Sequence, residues 1–241
     1  MLKHVRLKPM TAPSIPAVSY EVMAHVDRSS ASHMNDRTRL ANTSLILAIG
    51  LLLTTGVSAQ TSQEWVQCTG REGPIADVVI AGCTAIIQAA QEPAAKLATA
   101  FNNRGVAYRL KGKYDQALED FDQSIRLNPS SPKHYNNRGI IYRIRHDYDR
   151  AIADYNEAIW LKSDFAAALY NRAEAYFDQG EYERALADLE VVLRFDKRNA
   201  LALYARGMIL LKKGDADAGQ ADITAAEAIN PDIAKRFDAS Q

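Results

Sequence analysis

Asn103-Arg104-Gly105 is written again as Asn137-Arg138-Gly139, Asn171-Arg172-Ala173 and Ala205-Arg206-Gly207, each copy 34 residues after the one before. Outward from the third residue of each copy, other positions keep the same register: Tyr108, Tyr142, Tyr176 and Leu210, then Tyr114, Tyr148, Tyr182 and Ala216, then Ala117, Ala151, Ala185 and Gly219. A fixed period of this size marks stacked two-helix units, none of which can bury its apolar face without its neighbours. In the first unit Phe101, Arg104, Gly105 and Tyr108 follow the i, i+3, i+4, i+7 spacing of one helical stripe, and Ala117, Phe121 and Ser124 form a second. Gly112 separates the stripes, Gly180 and Gly214 repeat that glycine, and His146 takes the place in the second unit, where a positive φ is expected. Gly105 and Ala117 are small where two antiparallel helices should cross closely. Asp115, Asp149, Glu183 and Asp217 open the second helices, where a negative charge suits the helix N-terminus.

The pattern resembles the tetratricopeptide repeat family, with repeats at 98–131, 132–165, 166–199 and 200–233 that cover 136 of the 241 residues. The departures are local: Ser163 and Lys197 replace the closing proline seen at Pro129 and Pro231, and the fourth repeat has Leu210 and Ala216 in aromatic places. The resemblance implies an all-α, right-handed superhelical solenoid of helix-turn-helix repeats with capping helices, whose concave face is built from the first helix of each repeat.

Position 7 of every repeat is arginine (Arg104, Arg138, Arg172, Arg206) and position 23 is aspartate (Asp120, Asp154, Asp188, Asp222). The two positions lie symmetrically about the turn, so antiparallel helices should bring them to one height as a ladder of ion pairs. A row of arginines gripping an anionic ligand is the alternative, but each arginine has an aspartate on the same schedule.

Before the repeats, residues 45–57 form an apolar run that ends in Val57-Ser58-Ala59-Gln60. This looks like a secretory signal peptide, because spanning a bilayer takes about 20 apolar residues. Cleavage after Ala59 would leave Gln60–Gln241, exported to a bacterial periplasm or secreted, with no stable membrane span. A start at Met34 gives the segment 34–59 a short leader with Arg37 and Arg39, so 1–33 is expected to be a non-native or disordered extension. Both cysteines, Cys68 and Cys83, fall in the exported part, where an even pair reads as a disulfide. Cys83 precedes Gly105 by the same 22 residues that separate Ala117 from Gly139, which gives it a small-residue place in a half-repeat, with Ile87 and Ala90 in the next core places. Residues 60–97 are therefore expected to form disulfide-pinned capping helices, one from about Pro74 to Ala90 and a shorter one around Trp65. At the other end, 234–241 is expected to act as a cap, with Phe237 where a fifth repeat would place an aromatic.

The exported part carries 23 Lys and Arg against 26 Asp and Glu, so it offers no basic stripe for nucleic acid. No nucleophile elbow, phosphate loop or metal-spaced cluster appears, and neither an enzyme nor a cofactor is expected. His134 and His146, near a helix start and a turn, are expected at the surface. By resemblance, ligand contacts come from positions 2, 5, 6, 9, 12 and 13 of the first helices. In the first two repeats these include Asn102, Asn103, Val106 and Arg109, then Asn136, Asn137, Ile140 and Arg143. In the last two they include Tyr170, Asn171 and Phe177, then Tyr204 and Met208. The asparagines could hold a peptide backbone, and Arg109 and Arg143, with no aspartate scheduled opposite them, should be free to meet a ligand. The two-carboxylate clamp for chaperone tails is not met, since of Asn102, Val106, Asn137, Ala167 and Asn171 only Asn137 matches it. The expected function is a non-catalytic scaffold for a peptide or protein segment in the envelope, and the alternative is a subunit of a periplasmic or secreted enzyme complex.

Overall fold

The computed structural model describes residues 62–70 and 75–238, within one compact unit, Gly56–Gln241. The extension expected at 1–33 and the export segment expected at 34–59 lie outside the described residues. A short helix α1 (62–69) is followed by α2 (Ala76–Ala89) and α3 (Ala94–Leu110). Then come α4 (Tyr114–Leu127), α5 (Pro132–Ile144), α6 (Tyr148–Leu161), α7 (Ala166–Asp178) and α8 (Tyr182–Phe195). The chain ends with α9 (Ala200–Lys213), α10 (Ala216–Ile229) and α11 (Ile233–Asp238). Each helix packs on the next, there is no strand among the described residues, and the architecture is the right-handed solenoid of two-helix repeats.

Local chemistry sets the helix boundaries. His146 adopts φ 59°, beside 69° at Gly112, 79° at Gly180 and 91° at Gly214. These left-handed turns reverse the chain between first and second helices, and His146 is held there by a 2.8 Å hydrogen bond between its Nδ1 and the Tyr148 hydroxyl. The acids at 115, 149, 183 and 217 lie in the first turns of α4, α6, α8 and α10, while side-chain capping, present at α6 and α10, falls to the residue before the helix. Asp147 and Asp215 accept the backbone N–H of Arg150 and Ala218.

The core is a series of overlapping clusters along the solenoid, from Cys83, Ile86 and Ala100 through Ala117 and Phe121, then Ala151 and Tyr155, to Leu189, Leu203 and Ile233. Gly105 is small because of an aromatic ring: a Cβ there would stand 2.7 Å from Phe121, and one at Gly139 would stand 2.7 Å from Tyr155. In the fourth repeat, where Ile223 replaces the ring, a Cβ at Gly207 would stand the same 2.7 Å from the backbone oxygen of Gly219.

A disulfide joins Cys68 of α1 to Cys83 of α2. Next to it Gly82 lets the helices cross, since a Cβ at Gly82 would be 2.7 Å from Gln67 and 2.8 Å from the Glu64 carbonyl oxygen. The fully buried residue of α2 after Cys83 is Ile86, whereas Ile87 is half-buried and Ala90 is exposed. The half-repeat register fails there because α2 stops at Ala89, and Ala90 takes a left-handed φ of 51° as its C-cap. At the C-terminus Ile233 closes the core, and the Phe237 side chain lies outside the described side chains.

Candidate ligand-binding groove

The first helices form the inner wall. α3 meets α5 and α5 meets α7, whereas no comparable contact joins α4 to α6 or α6 to α8 among the described residues. Helix pairs that are close along one side and splayed along the other must curve, which leaves α3, α5, α7 and α9 lining the concave face.

The position-7 arginines lie between helices and below this face. Arg104, Arg138, Arg172 and Arg206 each grip the aspartate 16 residues on with two nitrogens, at 2.6–2.9 Å. In the middle repeats the remaining nitrogen reaches back one repeat, to Asp122 from Arg138 at 2.7 Å and to Asn156 from Arg172 at 2.6 Å. Arg104 finds Thr84 of α2 instead, at 3.0 Å. Asp154 is the main cause that holds the Arg138 guanidinium above its already high range. These arginines are structural, and the row does not present itself to a ligand.

Several residues expected to grip a ligand hold neighbouring repeats together instead. Asn137 donates to the Asn102 side-chain oxygen and Asn171 to that of Asn136, each at 2.8 Å, so position 6 of one repeat is tied to position 5 of the one before. Asn103 donates to the Cys68 carbonyl oxygen at 3.2 Å, which continues the chain of amides onto α1. Tyr170 donates to Glu174 at 3.0 Å.

Arg143 is not free, contrary to the expectation from sequence. It is paired with Glu174 at 2.9 Å and Asp178 at 3.1 Å. Burial pushes the Glu174 carboxyl above its ordinary range, and the opposing pull of Arg143 and the Tyr170 hydrogen bond is smaller. The pairing follows from the stacking: position 12 of one repeat faces positions 9 and 13 of the next. For Arg109 those places hold Ile140 and Ile144, and no carboxylate pairs with it among the described residues. Its Nε is buried without a hydrogen-bond partner. For Phe177 they hold Met208 and Lys212, whose ammonium lies 5.2 Å from the ring centroid.

Beside Arg109 the wall is apolar. Leu110 is 60% exposed and Ile144 is exposed as well, while Met208 is exposed on α9, three repeats on. A cavity of about 190 Å³ opens between α1, α2 and α3, lined by Cys68, Val79, Asn103, Val106, Ala107 and Leu110. The cavity was not foreseen, because α1 and α2 lie outside the repeat pattern. Tyr204 is half-buried on the last first helix. His134, expected at the surface, is buried at the start of α5, while His146 is exposed. Among the described residues no group of His, Cys, Asp or Glu could hold a metal, and no helix is long and apolar enough to cross a membrane.

Comparison with known proteins agrees with this geometry. Models of the tetratricopeptide repeat match residues 98–131, 121–153, 139–180, 173–214 and 200–233. Among solved structures, MamA protein aligns with a TM-score of 0.58 at 20% identity, covering 74% of this chain and 96% of that one. YrrB, described as a tetratricopeptide repeat protein with an unusual peptide-binding site, aligns at 0.56 and 18% identity, covering 75% and 90%. A tetratricopeptide repeat protein from Parabacteroides merdae aligns at 0.60 and 16% identity, covering 72% and 68%. No curated protein matches the chain. At these identities the structural likenesses speak to the fold, and together with repeat models that span residues 98–233 they place the chain in the tetratricopeptide repeat family.

Proposed function

We propose that the protein is a non-catalytic scaffold that holds a peptide or protein segment in its concave groove, with Arg109 as the charged anchor. The observation that carries this reading is the contrast between two arginines at one repeat position: Arg143 is neutralised by Glu174 and Asp178, and Arg109 meets no carboxylate among the described residues. An unpaired guanidinium beside the exposed Leu110 and the cavity below it suits a ligand that offers a carboxylate and an aliphatic side chain. The peptide-binding site named for YrrB supports a peptide as the ligand class. Export through residues 34–59 belongs to the same proposal, and the Cys68–Cys83 disulfide supports an oxidising compartment.

The test is selection of peptides on the purified protein from a displayed random library. Carboxylate-containing peptides should be enriched, their binding should weaken with salt, and Arg109→Gln should reduce affinity about tenfold or more without moving the melting temperature. Enriched peptides that bind the Arg109→Gln variant as they bind wild type, or a library with no enrichment, would sink the assignment.

A further inference from the structure

The two edges of the solenoid differ in their charge balance and in how far their cations are paired. At the edge where chains turn from first to second helix, the segments 109–115, 143–150, 178–184 and 212–217 hold nine Lys or Arg and eight Asp or Glu. Most of those cations are paired there: Lys111 with Asp77, Arg145 with Asp115, Arg150 with Asp147, Arg184 with Glu181 and Lys213 with Glu183. At the opposite edge, where α4, α6 and α8 end and the next repeat begins, the segments 126–133, 160–165 and 194–199 hold six Lys or Arg and only Asp164 and Asp196. The side chains of Arg126, Lys133, Arg194, Lys197 and Arg198 meet no carboxylate among the described residues, and Lys162 has only a loose contact with Asp164 at 3.8 Å.

This unpaired basic edge also carries the two most exposed large apolar side chains of the described residues, Trp160 at 78% and Phe195 at 66%. Trp160 lies in the last turn of α6 and Phe195 is the last residue of α8, one repeat further on. Neither ring serves the core, and both are on second helices, away from the groove.

We propose that this edge docks on an anionic lipid surface. The excess of unpaired cations supplies charge complementarity to acidic headgroups, each cation near such a surface adding to the attraction. Trp and Phe are the side chains that settle at the headgroup boundary, with the ring in the apolar part and the indole N–H in the wet part. The inference does not depend on the groove reading, since both rings are on second helices and, of the cations named, only Lys133 stands on a groove helix, at its very start.

Flotation of the full chain with vesicles of phosphatidylglycerol and phosphatidylcholine, against vesicles of phosphatidylcholine alone, tests this proposal. Wild type should bind the anionic vesicles more strongly, release them as salt rises, and give a Trp160 fluorescence signal quenched by brominated lipid in a Trp65→Phe background. The pair Trp160→Ser and Phe195→Ser, and separately the triple change of Arg194, Lys197 and Arg198 to Gln, should each lower anionic-vesicle binding at least tenfold with unchanged helicity. Residues 45–57 are common to every variant, so the comparison isolates the edge. Equal binding to both vesicle types, or variants that bind as wild type does, would overturn the proposal. Failure on vesicles combined with tight, salt-sensitive binding of polyglutamate to the same edge would replace the lipid with an acidic protein.

Discussion

His134 stands where the other repeats place Ala100, Ala168 and Ala202, all fully buried. The imidazole is itself only 5% exposed, and its Nδ1 has no hydrogen-bond partner. Burial lowers its pKa below the ordinary value of 6.5, while backbone groups of Asn128 and Ser124 act the other way without prevailing. The unfolded chain therefore binds the proton more tightly than the folded one, and stability should fall as pH drops through about 6.5. The raised Glu174 carboxyl has the opposite sign, because its protonated form is the one favoured by the fold. A urea-unfolding series from pH 7 to 5 on wild type and His134→Ala separates the two. The variant should lose the acid-side decline, whatever it costs in absolute stability, and parallel pH slopes for both proteins would show that His134 does not titrate in this window. The burial of His134 was hidden in the sequence because a histidine near a helix start reads as exposed, although its alignment with three alanines was there to be used.

The capping pair α1 and α2 is the element whose stability depends most on a covalent link. Its apolar cluster of Cys68, Cys83, Ile86 and Ala100 is small, and Trp65 is tied to Glu92 by a 2.7 Å hydrogen bond at its margin. Cysteines 15 residues apart close a loop worth about 3 kcal/mol in the chain-entropy model. Reduction should therefore lower the melting temperature, and hydrogen exchange should quicken in α1, α2 and α3 before α8, α9 and α10. Exchange that quickens equally along the whole solenoid would count against a capping role. The disulfide could be anticipated from composition and compartment, but the geometry of α2 could not. Extending the 34-residue register backwards put Ile87 and Ala90 in the core, whereas α2 ends early, and Thr84 supplies the contact to Arg104 that Asp122 and Asn156 supply one turn later in the true repeats. A pattern set by neighbour-on-neighbour packing stops being informative at its first unit.

For the whole molecule, the repeat architecture was legible because position 7 meets position 23 within one unit, so sequence spacing and spatial contact coincide. The groove was less legible, because its chemistry is made between units: Arg143 is neutralised by residues 31 and 35 positions on, and Asn137 and Asn171 spend their amides on the preceding repeat. The same inter-unit contacts decide how cooperatively the solenoid unfolds, since stability in such arrays is a sum of unit terms and interface terms. Arg138 is a member of both kinds, with two bonds to Asp154 in its own repeat and one to Asp122 in the preceding one, whereas Arg206 bonds Asp222 alone among the described residues. Arg138→Ala should cost about 3–5 kcal/mol by stranding the mostly buried Asp154, and Arg206→Ala should cost less because that pair is more exposed. The tryptophans are placed to detect the lost coupling, with Trp65 in the cap and Trp160 beyond the junction of the first two repeats. In wild type their fluorescence should change at one urea concentration, measured in Trp160→Phe and Trp65→Phe backgrounds. In Arg138→Ala the Trp65 transition should move to lower urea than that of Trp160, while Arg206→Ala should leave the two together. Coincident transitions in Arg138→Ala would mean that the arginine ladder stabilises each repeat without joining it to the next.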